Sequence, residues 1–422
     1  MGGFKKEIVK LLEEGIIDQA TADRIEQYYN QPSDQGTNRL FLIFGILGAV
    51  LVGLGAILII AHNWDHFSTL TKTIIAFLPL LAGQAACLYT LIKRDSSRPW
   101  KEASSVILFF AVGASISLIS QIYHIPGDLS GYLFTWMLLV LPLIYLMNSS
   151  MTSLMYLVGI TAYANTFYWN NHTSGSYLFW VLFAAVLPFY FRQISTNGKS
   201  NFTHFHHWFA GLSLTIALGL VADNQEELLL LAYLLMFGVM QYAGYEIFSR
   251  YNNQEYNGLR IIGSLGTIVM LIILSFQEVW GELLSSEYQF FSSEVFLCIF
   301  LVLILGVFFA RQKTAQKEMV TAIGIWVYLA AGIIFVIGFW WPYAFIPVNI
   351  LLLIIAIQKI RMGVNANNLV ILNFGMLILS VLIAARFFDT DISFVIRGLL
   401  FVLLGGGFFV ANYFILKKRK HA

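Results

Sequence analysis

Apolar stretches separated by short charged or polar segments make up the chain from residue 39 onward. The first of them runs from Phe41 to Ala61, and a group of polar residues follows it directly. A helix rises about 1.5 Å per residue, so a stretch of this length crosses the hydrocarbon core of a bilayer, which is about 30 Å thick. About fourteen such segments can be counted, and each is expected to be a helix. They lie at roughly 41–61, 72–92, 103–122, 131–147, 152–169, 176–191, 205–222, 227–248, 261–276, 294–310, 319–337, 342–358, 365–385 and 393–416.

This pattern predicts an all-α fold, a polytopic integral membrane bundle of about fourteen transmembrane helices. Composition agrees, because 58% of the residues are hydrophobic and 11% are charged, whereas a soluble domain carries about 25% charged residues. The lipid bilayer is therefore an expected partner. The net charge of +2 provides no strong field for nucleic acid, so a nucleic-acid partner is not expected. Cys87 and Cys298 lie within apolar runs, which favours buried thiols over a disulfide or a zinc site.

The segment before the first apolar stretch is charged and polar, and it predicts a small cytosolic helical hairpin with a linker at residues 1–38. Gly15 fits the C-cap of a first helix because glycine tolerates a left-handed backbone, and Asp18 fits the N-cap of a second. Two short helices cannot bury a core alone. The hairpin is therefore expected to pack on the transmembrane domain, residues 39–422, or on a cytosolic partner.

Lysine and arginine residues are distributed unevenly between alternate loops. With the N-terminus assigned to the cytoplasm, 22 of the 25 fall in cytoplasmic segments. The outer side then holds only Lys72, Arg386 and Arg397. Because cytoplasmic loops of membrane proteins are enriched in these residues, the distribution predicts that both termini are cytoplasmic.

Two polar clusters follow apolar stretches on the side predicted to be outer. Their residues are His62, Asn63, Trp64 and Asp65 in the first cluster, and Gln121, Tyr123, His124 and Asp128 in the second. Imidazole with carboxylate can bind a metal, relay protons or hold a polar head group. The alternative is structural, since Asn63 and Asp65 cap helices well and Pro126-Gly127-Asp128 is a turn sequence. No complete metal-ligand motif is present, so neither a metal nor a cofactor is predicted.

Arg386 and Arg397 lie on the side that the charge rule disfavours, and Arg397 falls within the last apolar segment. An arginine at such depth costs up to ~3 kcal/mol on insertion scales unless it is paired or hydrated. Local partners would be Asp389 and Asp391, and the alternative for both arginines is that the side chain extends to the interface. We expect the first, third and last membrane helices to meet on the outer face. That arrangement would bring both polar clusters near Arg397 and make one binding site for a small polar or amphiphilic ligand.

Several local sequences resemble a family of predicted bacterial membrane proteins that is known as the domain of unknown function DUF2157. The residues that carry the resemblance are 11–17 (LLEEGII), 61–65 (AHNWD), 121–124 (QIYH), Gly127-Asp128 and Trp136. The resemblance covers roughly residues 4–150 and implies a bacterial inner-membrane protein. It supplies no activity.

Three functions fit the pattern. A transporter or flippase-like protein for a small or amphiphilic solute is favoured by the many short, glycine-containing helices and by polar residues gathered on one face. A second hypothesis is an envelope enzyme that acts on a lipid-linked substrate at the outer leaflet, with His62, Asp65, His124 and Asp128 as acid, base or metal ligands. A third is a non-catalytic sensor or assembly factor that uses the N-terminal hairpin. Whether the protein is an enzyme stays open at this point.

Overall fold

The computed structural model describes most of the chain after residue 62. The described positions are 11–12, 14–16, 18–22, 24, 51, 62, 64–171, 177–220, 226–251, 257–285, 292–312, 323–387 and scattered positions from 393 to 409. The chain divides into two compact units, Met1–Ile74 and Ile75–Ala422. Each unit is described by itself below.

Every element in the described residues is helical, as the apolar pattern predicts. A 3-10 turn at Trp64–His66 precedes the α-helices that lie after residue 66. These are α1 (Thr69–Lys93), α2 (Arg98–Ile122), α3 (Leu129–Met147), α4 (Ser150–Asn171), α5 (Tyr177–Asn197), α6 (Asn201–Leu218), α7 (Glu226–Tyr251), α8 (Gly258–Ile273), α9 (Gln277–Ser285), α10 (Ser293–Gln312), α11 (Ile325–Gly338), α12 (Phe345–Asn365) and α13 (Leu369–Phe387).

The apolar segments correspond closely to these helices. Each predicted segment from 72–92 to 365–385 overlaps one helix, and only the short α9 has no predicted counterpart. In the described part of the chain, seven helices are long and apolar enough to cross a membrane: α1, α2, α3, α5, α7, α12 and α13. Helices α8, α10 and α11 are apolar but shorter. Nearly all of the first predicted segment and most of the last lie outside the described residues, so the number fourteen stays a prediction.

The surface of α1 shows how these helices meet their surroundings. Its small residues Gly83 and Cys87 are buried, whereas Leu81 and Leu88 on the other side are 63% and 59% exposed. Gly83 lies so close to α2 that an added Cβ would be 3.1 Å from the Cα of Leu108. Small residues between helices with large apolar residues facing outward are typical of membrane bundles, where lipid covers the outer side.

The larger unit contains two main groups of buried side chains. One group joins α2 to α6 and includes Phe109, Met137 and Tyr156. The other joins α6 to α13 and includes Trp280 and Phe335. Because both groups consist of side chains from several helices, the packing of the bundle depends on contacts that are distant in sequence.

Glu102 of α2 holds the beginning of α4. Its carboxylate accepts hydrogen bonds from the backbone nitrogens of Ser150 and Met151, both at 2.9 Å, and from the hydroxyl of Ser149 at 2.5 Å. Arg98, one turn earlier, donates from Nη2 to the Ser150 hydroxyl at 3.2 Å. The first backbone N–H groups of a helix lack partners within the helix. A carboxylate from a neighbouring helix therefore caps α4.

Two local features of the predicted N-terminal hairpin fall on described residues. Gly15 has φ +70°, and the nitrogens of Gly15 and Ile16 donate to the carbonyls of Leu12 and Leu11, as in a Schellman motif. The carboxylate of Asp18 accepts from the Thr21 nitrogen at 3.0 Å, and hydrogen bonds from Thr21 lower the pKa of Asp18. These caps agree with the predicted helix end and start. The hairpin as a whole and the domain boundary at residues 38–39 stay predictions.

Candidate functional site

A cavity of about 1230 Å³ lies between α1, α2 and α3, and we call it the loop-side cavity. Its polar lining consists of Gln84, Ser115, Ser117, Ser120, Gln121, His124, Asp128, Tyr132 and Thr135. Its apolar lining includes Phe77, Leu80, Val112, Ile116, Leu129 and Leu139. The structure therefore brings three predicted site residues, Gln121, His124 and Asp128, to one cavity.

The cavity extends from the loop at residues 123–128 well along the helices. Leu139 is about 15 Å from the start of α3, and Ser115 is about 10 Å from the end of α2, at about 1.5 Å per residue. Gln84 lies about 22 Å along α1 from Thr69 by the same measure. All three line the cavity. Polar side chains are thus available both at the loop and far inside the bundle.

The loop at 123–128 is built by local hydrogen bonds. His124 has φ 52°, and the Ile125 nitrogen donates to the carbonyl of Ser120 at 2.9 Å, which closes α2 as a Schellman motif does. Glycine usually takes the left-handed position in this motif, and here His124 takes it. The imidazole is therefore exposed at the lip of the cavity.

Asp128 begins α3 as its N-cap. Its carboxylate accepts from the Gly131 nitrogen at 3.0 Å and makes a short hydrogen bond with the Ser130 hydroxyl. This is the structural role that the turn sequence predicts as the alternative to chemistry. Tyr123 is the exposed C-cap of α2. The Asp128 side chain therefore both caps α3 and lines the cavity.

The wall between α2 and α3 is fixed by close packing of Trp136. Its indole nitrogen donates to the carbonyl of Phe109 at 2.9 Å, and the Tyr132 hydroxyl donates to the carbonyl of Gly113 at 3.1 Å. A Cβ on Gly113 would lie 2.5 Å from the Trp136 ring. On the α1 side, the buried Ser115 hydroxyl donates to the carbonyl of Ala76 at 2.7 Å. These contacts set the spacing of the three helices around the cavity.

Comparison with protein-family models gives a match that covers this part of the chain. Residues 9–153 match the family model described as "Predicted membrane protein (DUF2157)". The resemblance predicted from the sequence is thereby confirmed. Every residue that lines the loop-side cavity lies within the matched region. No curated protein and no solved structure matches the chain.

The DUF2157 region also contains the first polar cluster, which belongs to the smaller unit. His62 and Asp65 are exposed, and Trp64 is half-buried in the 3-10 turn. The ammonium of Lys72 lies 5.6 Å from the centre of the Trp64 ring. Asn63 lies outside the described residues. The structure therefore describes the individual residues of this cluster, and its joining to the second cluster stays a prediction.

Arg386 lies in the last turn of α13. Its Nη2 donates to the Ser275 hydroxyl at 3.3 Å, and its guanidinium lies 4.7 Å from the centre of the Phe276 ring, where α8 ends. A guanidinium stacked on an aromatic ring and bonded to a hydroxyl is stabilised without full hydration. Arg397, with Asp389 and Asp391, lies outside the described residues. The approach of Arg397 to the polar clusters stays a prediction.

The described residues contain no group of three or more His, Cys, Asp or Glu side chains that could hold a metal ion. Cys87 and Cys298 are buried free thiols, as their apolar surroundings predict. The second cluster offers one imidazole and one carboxylate at the cavity, His124 and Asp128. This arrangement can bind a polar group through hydrogen bonds and charge.

Sequence reasoning did not single out the deeper polar residues of the cavity, among them Gln84, Ser115 and Thr135. A signal was present, since each is a polar residue inside an apolar segment, and such residues often mark functional positions in membranes. His206 and His207, near the start of α6, are buried. His206 bonds to Ser153 of α4 at 3.1 Å and His207 to Tyr190 of α5.

Proposed function

We propose that the protein is a transporter or flippase-like protein for a small or amphiphilic solute, located in the inner membrane of a bacterium. The observation that carries the proposal is the loop-side cavity, which extends from the 123–128 loop to Gln84. A protein that moves a solute needs a polar path through the apolar interior of the bilayer. An enzyme that acts at the outer leaflet needs polar groups only near the surface.

The depth of the cavity supports this reading. The hydrocarbon core of a bilayer is about 30 Å thick, so its middle is about 15 Å from either side. Leu139 and Gln84 lie about 15 Å and 22 Å along their helices from the ends nearest the loop. A glutamine at such a depth is unfavourable against lipid and is better accommodated beside water or a polar solute.

The lining favours an amphiphilic solute. Gln121 and His124 at the lip can hydrogen-bond to a polar head group, and Phe77 and Leu80 on α1 offer an apolar surface. A site with both kinds of wall matches a molecule that has a polar and an apolar part. The cavity is large for a small ion and suits a molecule of several polar atoms.

The proposed orientation places both termini in the cytoplasm and the 123–128 loop on the periplasmic side. It rests on the 22 of 25 basic residues that fall in alternate segments. In this orientation the loop-side cavity opens to the outer side. A reagent that cannot cross the membrane should therefore reach it from the periplasm.

Cysteine accessibility tests the cavity in the membrane. In a variant whose native Cys87 and Cys298 are replaced by alanine, we expect Gln84→Cys to react with a membrane-impermeant maleimide added from the periplasmic side. Ala85→Cys is the matched control, because Ala85 is exposed at the same depth on the same helix but is not in the lining. Thiols react through the thiolate, which forms in water and not in lipid. Equal labelling of the two positions, or none at Gln84→Cys, would contradict a water-filled path.

Lipid translocation tests the function. Vesicles containing the purified protein and a fluorescent phospholipid are treated with dithionite, which bleaches only the outer leaflet unless lipids move between leaflets. We expect bleaching to proceed beyond the outer-leaflet share, and Gln84→Leu to slow it while Ala85→Leu does not. Bleaching that stops at the outer-leaflet share would remove the flippase form of the proposal. Uptake of small polar solutes by the same vesicles would then decide whether any transport occurs.

We further propose that the first polar cluster and Arg397 complete the site at the outer face. A buried arginine requires an anionic or polar partner, and His62, Asp65, His124 and Asp128 provide such groups at the predicted level. Paired cysteines at Arg397 and at each of the other positions test the arrangement by disulfide formation. If Arg397 lies more than about 12 Å from all of those side chains, beyond the range of a screened charge at physiological salt, the composite site does not exist.

A further inference from the structure

A second polar cavity, of about 190 Å³, lies at the opposite end of α2, and we call it the Arg98 cavity. It is lined by Asp95, Arg98, Lys101, Asn148, Gln193 and Asn197, together with Ser96. These residues come from the α1–α2 loop, the start of α2, the end of α3 and the end of α5. Three separate stretches of the chain, 95–101, residue 148 and 193–197, thus contribute polar residues to one small space.

Gln193 is the feature that points to a ligand. Its side chain belongs to a residue that is only 5% exposed, and its amide nitrogen Nε2 has no hydrogen-bond partner among the described residues. A buried donor that is left without an acceptor loses its hydrogen bonds to water and gains none in return, which is unfavourable. Nearly all buried polar groups in folded proteins have a partner, so an exception needs an explanation such as a bound water, ion or ligand. The missing partner of Gln193 is an acceptor.

Arg98 is held in a defined position at the same cavity. Its Nη2 donates to Ser150, its Nε is 3.9 Å from Glu102, and its guanidinium lies 5.3 Å from the centre of the Phe202 ring. The Glu102 oxygens already accept from the first residues of α4. A guanidinium has five N–H donors, so these contacts leave donors for an additional acceptor.

Lys101 adds a second cation. Its ammonium pairs with the carboxylate of Asp95 at 2.6 Å, and its side chain is only 19% exposed. The lining therefore has two cations and one carboxylate, and its remaining members are amides and a serine hydroxyl. With two cations and three side-chain amides against one carboxylate in this lining, N–H donors outnumber carboxylate oxygens, which favours an anion over a metal cation.

The size of the cavity restricts the anion. A water molecule occupies about 30 Å³ in the liquid, so the cavity corresponds to roughly six waters. It is smaller than the pockets of about 300–1,000 Å³ that hold drug-sized ligands. An oxyanion with several acceptor oxygens and a few waters fills such a space, and each oxygen can meet a different donor.

We propose that the Arg98 cavity binds a phosphate group, either in the headgroup of a phospholipid or as a free phosphate. The phosphate oxygens would accept hydrogen bonds from Gln193 and Arg98 and pair with Lys101. Arginine suits phosphate through its fork of parallel N–H donors, and lysine provides a point charge. The site lies where the apolar helices α1 and α2 are joined by a charged loop, which is where lipid headgroups would be found.

The experiment uses the full-length protein in detergent and measures thermal unfolding and the dissociation constant for phosphate. Inorganic phosphate should raise Tm, whereas chloride at equal ionic strength should not. Lys101→Gln is expected to weaken phosphate binding about tenfold, as for the loss of one charge-assisted contact. Arg192→Gln is the matched control, because it removes the same charge one residue from Gln193 at an exposed position outside the lining.

Gln193→Leu separates the site from a structural role. Because leucine has no unpaired donor, this variant should have a higher Tm than the native protein without phosphate and should lose the increase that phosphate produces. A second arm compares nanodiscs of phosphatidylglycerol with nanodiscs of a phosphate-free glucosyl diacylglycerol. Stabilisation by phosphatidylglycerol alone identifies a lipid headgroup, and stabilisation by inorganic phosphate identifies the free anion. Equal effects of phosphate and chloride in the first arm with no lipid effect, or equal losses in Lys101→Gln and Arg192→Gln, would overturn the proposal.

Discussion

Replacing Glu102 with alanine should destabilise the bundle more than replacing an exposed carboxylate does. The Glu102 side chain is 13% exposed, and its two oxygens accept from two backbone nitrogens and one hydroxyl of the α4 start. Alanine would remove all three acceptor contacts at once. The bonds that would be lost join Glu102 of α2 to residues at the start of α4 that are 47 to 49 positions away in the sequence.

The cost can be estimated from the donors that lose their partner. Ser149 can keep a partner, because its hydroxyl also lies 3.0 Å from that of Thr152, and Met151 is exposed, so water can reach that end. Ser150 is fully buried, and its nitrogen would be left without an acceptor at a cost of about 1–3 kcal/mol. Loss of a negative charge at a helix N-terminus adds about 0.3–1 kcal/mol. The pair with Arg98 is long and adds little. We therefore expect Glu102→Ala to lower the free energy of unfolding by about 1–4 kcal/mol.

Equilibrium unfolding in mixed micelles, followed by tryptophan fluorescence as the fraction of dodecyl sulfate is raised, measures this quantity. Glu102→Gln keeps the size and one acceptor oxygen, so it should fall between the native protein and Glu102→Ala. Glu278→Ala is the control, because Glu278 is an exposed carboxylate in the first turn of α9, where only about 0.3–1 kcal/mol is expected. A loss below about 0.5 kcal/mol for Glu102→Ala would refute the assignment of Glu102 as the cap of α4.

Three further predictions concern packing and topology. Gly113→Ala should destabilise by about 1–3 kcal/mol in the same unfolding assay because its Cβ would lie 2.5 Å from Trp136, whereas Gly127→Ala, whose Cβ would meet nothing within 4 Å, should have little effect. Equal effects would contradict the packing argument. An alkaline phosphatase fused after Ala422 should be inactive, since that enzyme folds only in the periplasm; activity there would contradict the predicted topology. Deletion of residues 2–35 should leave the yield of membrane-inserted protein largely unchanged, and loss of folded protein would show that this segment is part of the bundle.

The positions of the helices could be predicted from the sequence because apolar length is the dominant signal in a membrane chain. Every predicted segment from 72–92 to 365–385 overlaps a helix. The helix that no predicted segment overlaps, α9, has nine residues and begins with Gln277 and Glu278. A helix this short and polar at its start cannot be distinguished from a loop by hydropathy alone.

The candidate site could be predicted only in part. Gln121, His124 and Asp128 stand out because they follow an apolar stretch, and they do share a cavity. Gln84 and Thr135 are polar residues inside apolar segments, but a helix that is apolar all round shows no periodic face from which to read its orientation. Which side of α1 or α3 meets the cavity is decided by contacts with neighbouring helices.

The walls of the loop-side cavity differ in how firmly they are held. Helices α2 and α3 are joined by the Trp136 contacts, and α2 is joined to α4 by the charge-assisted bonds of Glu102. Helix α1 is less buried than α2: 22% of the residues in its apolar stretch are buried, against 39% in α2. The hydrogen bond from the Ser115 hydroxyl to the carbonyl of Ala76 joins α2 to α1 beside the cavity. A single neutral hydrogen bond contributes about 0.5–1.5 kcal/mol, whereas bonds to a carboxylate contribute about 1.5–3 kcal/mol each. A change in cavity width therefore costs least on the α1 side, and any motion that passes a solute along this cavity should displace α1 while α2, α3 and α4 stay together.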